Sequence, residues 1–189
     1  MDYPINIIDT TLREGEQSPG LLFSASNKKS IVDGLVKIGI TEAELGIASE
    51  LQTDPGPTIN YCRKRHPQLQ LSLWSRCRKE DIAYAAALQP DIISLSIPLS
   101  DIHLHDRLGK DREWAKRTMI ESIEFALKSG MAVSVGFEDA TRCTPDFLCE
   151  MAEIAVQHGA GRIRIADTVG IASPVTITQL TKTLKKKLP

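Results

Sequence analysis

Short runs rich in Ile, Val and Leu punctuate the chain: INIID at 5–9, EAELGI at 42–47, LQLSLW at 69–74, DIISLSI at 91–97, AVSVGF at 132–137 and RIRIA at 162–166. Each is mostly apolar and too short for a helix, as expected of strands covered on both faces. Longer segments with helical spacing lie between them. SASNKKSIVDGLVKIG sets Ile31, Leu35 and Ile38 at helical intervals, opens on a serine and stops at Gly39. DREWAKRTMIESIEFALKSG places Trp114, Met119, Ile123 and Leu127 on one face and closes at Gly130. TPDFLCEMAEIAVQHG begins with Thr144 as N-cap and Pro145 at the first helical position, and SPVTITQLTKTLKKKLP repeats the Ser-Pro opening. Shorter helices fit 57–66 and 78–88.

The result is a βα repeat of about thirty residues, which builds a parallel sheet flanked by helices. Two architectures share this pattern: an open doubly wound sheet, and a TIM (β/α)8 barrel of which this chain supplies the first six βα units. A complete barrel takes ~250 residues, and periodicity alone does not choose between the two. With 189 residues and no low-complexity linker, the expectation is one domain over 1–189, a partial barrel without strands seven and eight.

Composition narrows the function by exclusion. Twenty-three Lys and Arg nearly cancel 24 Asp and Glu, so charge gives no reason to expect nucleic acid or an anionic membrane surface as partner. The basic stretch KTLKKK at 182–187 reads as a solvated helix end. No apolar run approaches the ~18 residues of a membrane span, and MDYPINIIDTT does not read as a signal peptide. The four cysteines, Cys62, Cys77, Cys143 and Cys149, lack CxxC or zinc-ligand spacing and read as free thiols of a cytoplasmic protein.

In both architectures ligands bind at the carboxyl ends of the strands, and there the polar residues collect. The first strand is followed by Asp9, Arg13, Glu14 and Gln17; the second ends near Glu42 and Glu44. The third leads into Arg76 and Arg78, the fourth into Ser100, Asp101, His103 and His105. Glu138, Asp139 and Arg142 follow the fifth, Asp167 and Thr168 the sixth. Carboxylates and arginines on one rim suit a hard divalent cation and an anionic substrate. The plainer alternative is that βα loops are polar anyway and that such residues cap helices.

Four ordered motifs make the pattern specific. DTTLREGEQSPG, SDIHLHDRLGKDRE (100–113), VSVGFEDATRCTPDFL (133–148) and RIRIADTVGIASP (162–174) resemble the metal-dependent acyltransferases and lyases built on TIM barrels. These are homocitrate, isopropylmalate and citramalate synthases and hydroxymethylglutaryl-CoA lyase. The LREGEQ and VGFEDATR wording is most similar to homocitrate synthases, especially the nitrogen-fixation type.

The resemblance implies condensation of acetyl-CoA with a 2-oxo acid, 2-oxoglutarate being favoured, through a Claisen-type carbon–carbon bond; citramalate or isopropylmalate synthesis, or acyl-CoA lyase chemistry, is the alternative within the family. It implies that Arg13 stabilises the oxyanion and that Glu14 ligates a divalent metal (Mg, Mn or Zn) chelated by the 2-oxo acid. Gln17, Glu44, Glu138 and Thr168 are implied as substrate-binding. Arg78 departs from the pattern, because RCR stands at 76–78 where several homocitrate synthases carry RCH. An arginine there would still hold a distal carboxylate. VSVG also lacks an arginine that some relatives place on strand five. HLH at 103–105 is a polar loop pair on this reading, since the family's ligand histidines belong on strand seven. The chain stops at LTKTLKKKLP before that HxH motif and before the downstream elements that carry the catalytic base. The expectations are therefore an incomplete piece, a split enzyme completed by a second chain, self-pairing as a homodimer, or a non-catalytic subunit that needs a partner chain, with exposed first and sixth strands as the physical reason for a partner.

Overall fold

In the computed structural model, which describes residues 5–188, strands and helices alternate throughout. They run β1 (Ile8–Asp9), α1 (Ala25–Lys37), β2 (Glu42–Ile47), α2 (Gly56–Arg65), β3 (Gln70–Arg76) and α3 (Lys79–Leu88). The second half continues with β4 (Ile92–Pro98), α4 (Arg112–Lys128), β5 (Ala132–Glu138), α5 (Pro145–Gln157), β6 (Arg162–Ile165) and α6 (Pro174–Lys187). Short helical turns at Gly15–Gln17, Ile102–Arg107 and Ala140–Arg142 follow β1, β4 and β5.

All five strand pairs are parallel and the spatial order is β1-β2-β3-β4-β5-β6. A doubly wound sheet reverses its order at a switch point; a barrel wall adds each strand beside the last. The curvature is equally decisive. Arg162 on β6 donates from Nη1 and Nη2 to both carboxylate oxygens of Glu42 on β2, at 2.8 and 2.7 Å. Strands four places apart in the sheet touch only if it curls, and the six units form a half-barrel.

Side chains alternate across the wall. Leu45, Leu73, Leu95, Val135 and Phe137 are buried and carry the core. The other set comprises Glu42, Glu44, Ser72, Ser94, Ser96 and Ser134, which are polar and also buried. The strands are thus apolar on the face toward the helices and charged or hydroxylated on the concave face, rather than apolar on both as the sequence reading had them. Small serines leave room there for the long Glu and Arg side chains.

Several local expectations change in detail. β1 is shorter than 5–9: it pairs only through Ile8 and Asp9 with β2, and Ile5 and Ile7 are exposed. Ile38 lies outward at the end of α1, whose buried positions are Lys28, Val32 and Leu35. Helix α4 buries Ala115, Met119, Ile123 and Ala126, while Leu127 sits at the margin. A Cβ on Gly159 would lie 2.8 Å from Leu127 Cδ1, and Gly159 takes φ +98°, so glycine serves both the turn and the contact there. Ser24, Asp111 and Ser173 cap their helices with side-chain oxygens, but Thr144 makes no such bond and leaves the start of α5 to Pro145. His103 and His105 lie in a helical turn, where residues two apart do not point the same way. All four cysteines are free, and burial pushes the Cys62 thiol up to about 11. No described helix is long and apolar enough to cross a membrane.

Candidate active site

The loop after β1 is shaped by its own polar groups. Asp9 accepts the Thr11 backbone N–H at 2.9 Å and the Thr11 hydroxyl at 3.0 Å. The Thr10 carbonyl then accepts the N–H groups of Arg13 and Glu14 at 3.0 and 2.7 Å. This turn buries Leu12 and leaves its two charged successors at the rim. Glu16 fastens the following turn to α1 through a 2.7 Å bond from Lys28 Nζ.

Arg13 is fixed from below. Its Nε donates to Glu44 Oε2 at 2.6 Å, and Nη1 contacts the Glu14 carboxylate. Glu44 is 1% exposed and its other oxygen accepts from Arg164 Nη1 at 3.2 Å. Two guanidinium groups therefore share one buried carboxylate. Burial lowers the Arg164 pKa and Arg13 lowers it further, against the pull of Glu44.

The opposite rim comes from β5 and β6. Glu138 accepts the Ser96 hydroxyl at 2.6 Å. The next residue, Asp139, turns the chain through a left-handed conformation (φ +54°), which aspartate tolerates. Its carboxylate, 1% exposed, accepts Arg142 Nε at 2.8 and 2.9 Å and the Ser100 hydroxyl. Its N–H donates to Thr168 Oγ1 at 2.9 Å, which leaves the Thr168 O–H to donate elsewhere. Asp167 orders its own loop, accepting from the Thr141 hydroxyl at 2.6 Å and from the Ala172 N–H at 2.9 Å.

Arg142, then Ser100, hold the Asp139 carboxyl below the usual carboxylate range. A lowered native pKa stabilises the fold fully above the unfolded value of about 3.9, and that contribution disappears as pH falls through the lower native value. Wild type is accordingly expected to lose stability to acid below about pH 4 more steeply than Asp139→Asn. Urea midpoints between pH 3 and 6 check this, and parallel curves would reject it.

These side chains enclose a cavity of about 670 Å³ lined by Arg13, Glu14, Gln17, Trp74, Ser96, His103, Arg107, Gly136, Glu138, Arg164 and Thr168, among others. The structure thus brings Arg13, Glu14, Gln17, Glu138 and Thr168 together. Glu44 lies beneath, outside the lining. Arg78 opens onto an adjoining cavity of about 340 Å³ that shares Ser96, His103 and Glu138 with the first. Its neighbour Arg76 is committed to Asp81 at 2.6 and 3.1 Å. His105 lines a separate surface pocket with Lys110 and Trp114.

Among the described residues no three His, Cys, Asp or Glu side chains stand together as a metal-ligand set. Glu14 is one carboxylate, exposed and already in contact with Arg13. The described residues therefore do not by themselves fit a divalent metal.

A family profile described as HMGL-like matches residues 4–189. The chain belongs to the HMGL-like family. This HMGL-like chain is 38% identical to a 2-isopropylmalate synthase of Caldanaerobacter subterraneus over 184 residues, covering 97% of the chain and 48% of that protein. It is 38% identical to a homocitrate synthase of Frankia alni over 175 residues, covering 93% of the chain and 50% of the relative. A Clostridium pasteurianum protein named homocitrate synthase subunit alpha is 32% identical over 185 residues, 98% of the chain and 68% of that protein. The HMGL-like chain thus spans about half the length of the first two. Among solved structures, the HMG-CoA lyase of Brucella melitensis superposes with a TM-score of 0.83 at 17% identity, covering 98% of the chain and 69% of the lyase chain. That likeness concerns the fold.

Sequence reasoning missed Arg164, Arg162 and the role of Glu42. The signal was present: EAELGI carries glutamates, and RIRIA arginines, at alternate positions. Period two puts each pair on one strand face, and opposite charges at matching heights invite pairing across a barrel.

Proposed function

We propose that this chain provides the acyl-acceptor half of an enzyme that condenses acetyl-CoA with a 2-oxo acid. The observation that carries this is Arg13, held at 2.6 Å by a 1% exposed Glu44 and presented to a cavity with Glu14, Gln17, Glu138 and Thr168. A guanidinium gripped from behind is preorganised for charge that develops in front of it.

In the reaction, the acetyl methyl carbon, having lost a proton, attacks C2 of the 2-oxo acid. The keto oxygen takes the electron pair and becomes an alkoxide, which is then protonated; water cleaves the thioester and releases CoA. Arg13 stabilises the alkoxide. The Thr168 hydroxyl, whose oxygen already accepts from Asp139, donates to the C1 carboxylate, and Gln17 supplies an amide beside it. Glu138, oriented by Ser96, faces the same substrate, and Arg78 reaches it from the adjoining cavity. Glu44 acts as a positioning residue. A divalent metal (Mg, Mn or Zn), if bound, would take Glu14 as one ligand and would polarise the keto oxygen; the described residues alone do not complete such a site.

The names of the relatives support this class of reaction, and the motif wording favours 2-oxoglutarate, giving homocitrate. Val169 and Ile171, in the loop after β6, and Val175 and Ile177, at the start of α6, are exposed apolar residues suited to cover by further protein. Either a second copy or another chain fits that role, and a relative named as a subunit alpha agrees with the latter. A cytoplasmic setting accords with a biosynthetic reaction of this kind. The test is thiol release from acetyl-CoA by the complete protein, with Mn²⁺ or Mg²⁺. Release that depends on 2-oxoglutarate, pyruvate or 2-oxoisovalerate supports the proposal and identifies the acceptor; no release with any 2-oxo acid rejects it.

A further inference from the structure

Among the described residues, three buried side-chain atoms have no hydrogen-bond partner: Glu16 Oε1, Ser134 Oγ and Arg164 Nε. The last two belong to neighbouring strands. Leaving an arginine N–H buried and unmatched is costly, and such an atom next to a cavity marks a place for an acceptor.

The surroundings of Arg164 point the same way. Register pairs it with Gly136 on β5, and Gly136 lines the same cavity. A Cβ on Gly136 would lie 3.1 Å from Arg164 Nη2 and 3.4 Å from the Leu95 carbonyl oxygen. Glycine here leaves the guanidinium room to lie against the wall of β5. The carboxylates around the cavity are already engaged: Glu14 by Arg13, Glu138 by Ser96, Asp167 by Thr141. Glu44 serves Arg13 and Arg164 together, so Arg164 shares its carboxylate partner with a second guanidinium.

We propose that Arg164 is a specificity-determining residue that binds the second, distal carboxylate of a dicarboxylic 2-oxo acid, with Gly136 clearing the space for its guanidinium. This rests on the acyltransferase reading. Arg13 and Thr168 hold the reacting end of the acceptor; Arg164, deeper along β6, receives the far end. A carboxylate accepting from Arg164 would satisfy the unmatched N–H and give this guanidinium a partner that Arg13 does not share.

The test compares 2-oxoglutarate with 2-oxovalerate, which has the same chain length and a methyl in place of the distal carboxylate. Both are measured with the complete protein as wild type, Arg164→Met and Arg164→Lys. Glu44 keeps Arg13 as partner in both variants, so the fold is expected to persist, as circular dichroism will verify. Loss of a charge-assisted bond of this kind corresponds to roughly 10–100-fold. Arg164→Met should lower kcat/KM for 2-oxoglutarate by that factor, mainly through KM, and change 2-oxovalerate by less than about threefold. Arg164→Lys should recover part of the loss. Equal losses on both acids, or no change in their ratio, would overturn the proposal. Calorimetric binding separates it from the reading beneath it. Binding of 2-oxoglutarate that Arg164→Met weakens, with no turnover of any 2-oxo acid, keeps the subsite and rejects the acyltransferase. Turnover of 2-oxovalerate by a protein that does not bind 2-oxoglutarate does the reverse.

Discussion

Arg13→Ala in the complete protein is expected to lower kcat for condensation by about 10²–10³-fold, the usual consequence of removing one preorganised donor from a developing oxyanion. The geometry explains why the effect should fall on kcat. Arg13 spends Nε on Glu44 and one terminal nitrogen on Glu14, so what it presents to the cavity is charge fixed in position rather than a mobile side chain. A group that meets the keto oxygen in both states but meets more charge in the transition state contributes differentially. Arg13→Lys should recover little, because an ammonium cannot bridge Glu44 and the substrate with the same planar fork. Steady-state kinetics with thiol detection decide the matter. Unchanged kcat in Arg13→Ala would remove this residue from the reaction and the main support for the assignment with it.

The largest stability effect is expected at Glu44. Replacing it by alanine or glutamine leaves Arg13 and Arg164 facing each other without their shared counter-charge. Breaking a buried pair by deleting one partner costs about 3–5 kcal/mol. Glu44 is 1% exposed, but Arg13 and Arg164 are 15% and 26% exposed, so solvent screening places the expected loss near the lower end. Glutamine is a poor substitute despite its shape, since its amide turns donors toward donors. Arg164→Met should cost much less, because Glu44 retains Arg13. The difference between the two variants in urea unfolding is the informative quantity. Equal losses would mean that lost packing rather than unpaired charge governs this layer.

Much of the architecture was legible in the chain. Five of the six strands lie within two residues of the runs that announced them, and α1, α4, α5 and α6 start at the serine, aspartate or proline that opens their segments. The exception, β1, fell short because pairing rather than composition ends a strand: Ile5 and Ile7 are apolar enough but lack a described partner. The helix faces were misread by one position at Ile38 and Leu127, since an apolar residue at a helix end meets solvent or a neighbouring loop as readily as the core. The rim residues were legible for a simpler reason. Polar groups immediately after a buried parallel strand must emerge at its carboxyl end, so Arg13, Glu14, Gln17, Glu138 and Thr168 had to share one side of the sheet.

The sequence by itself determined the repeat, the rim and the family motifs, because these follow from periodicity and spacing within some thirty residues. Only the tertiary structure decided which side chains meet across the curled sheet. Glu42 and Arg162 are 120 residues apart, as are Glu44 and Arg164. The alternating charges are visible within each strand, but no local feature says which two strands will meet. The contact depends on the accumulated twist and register of the four strand pairs from β2 to β6, which bring these two strands within reach of one another and turn a strand-end glutamate into the support of an arginine.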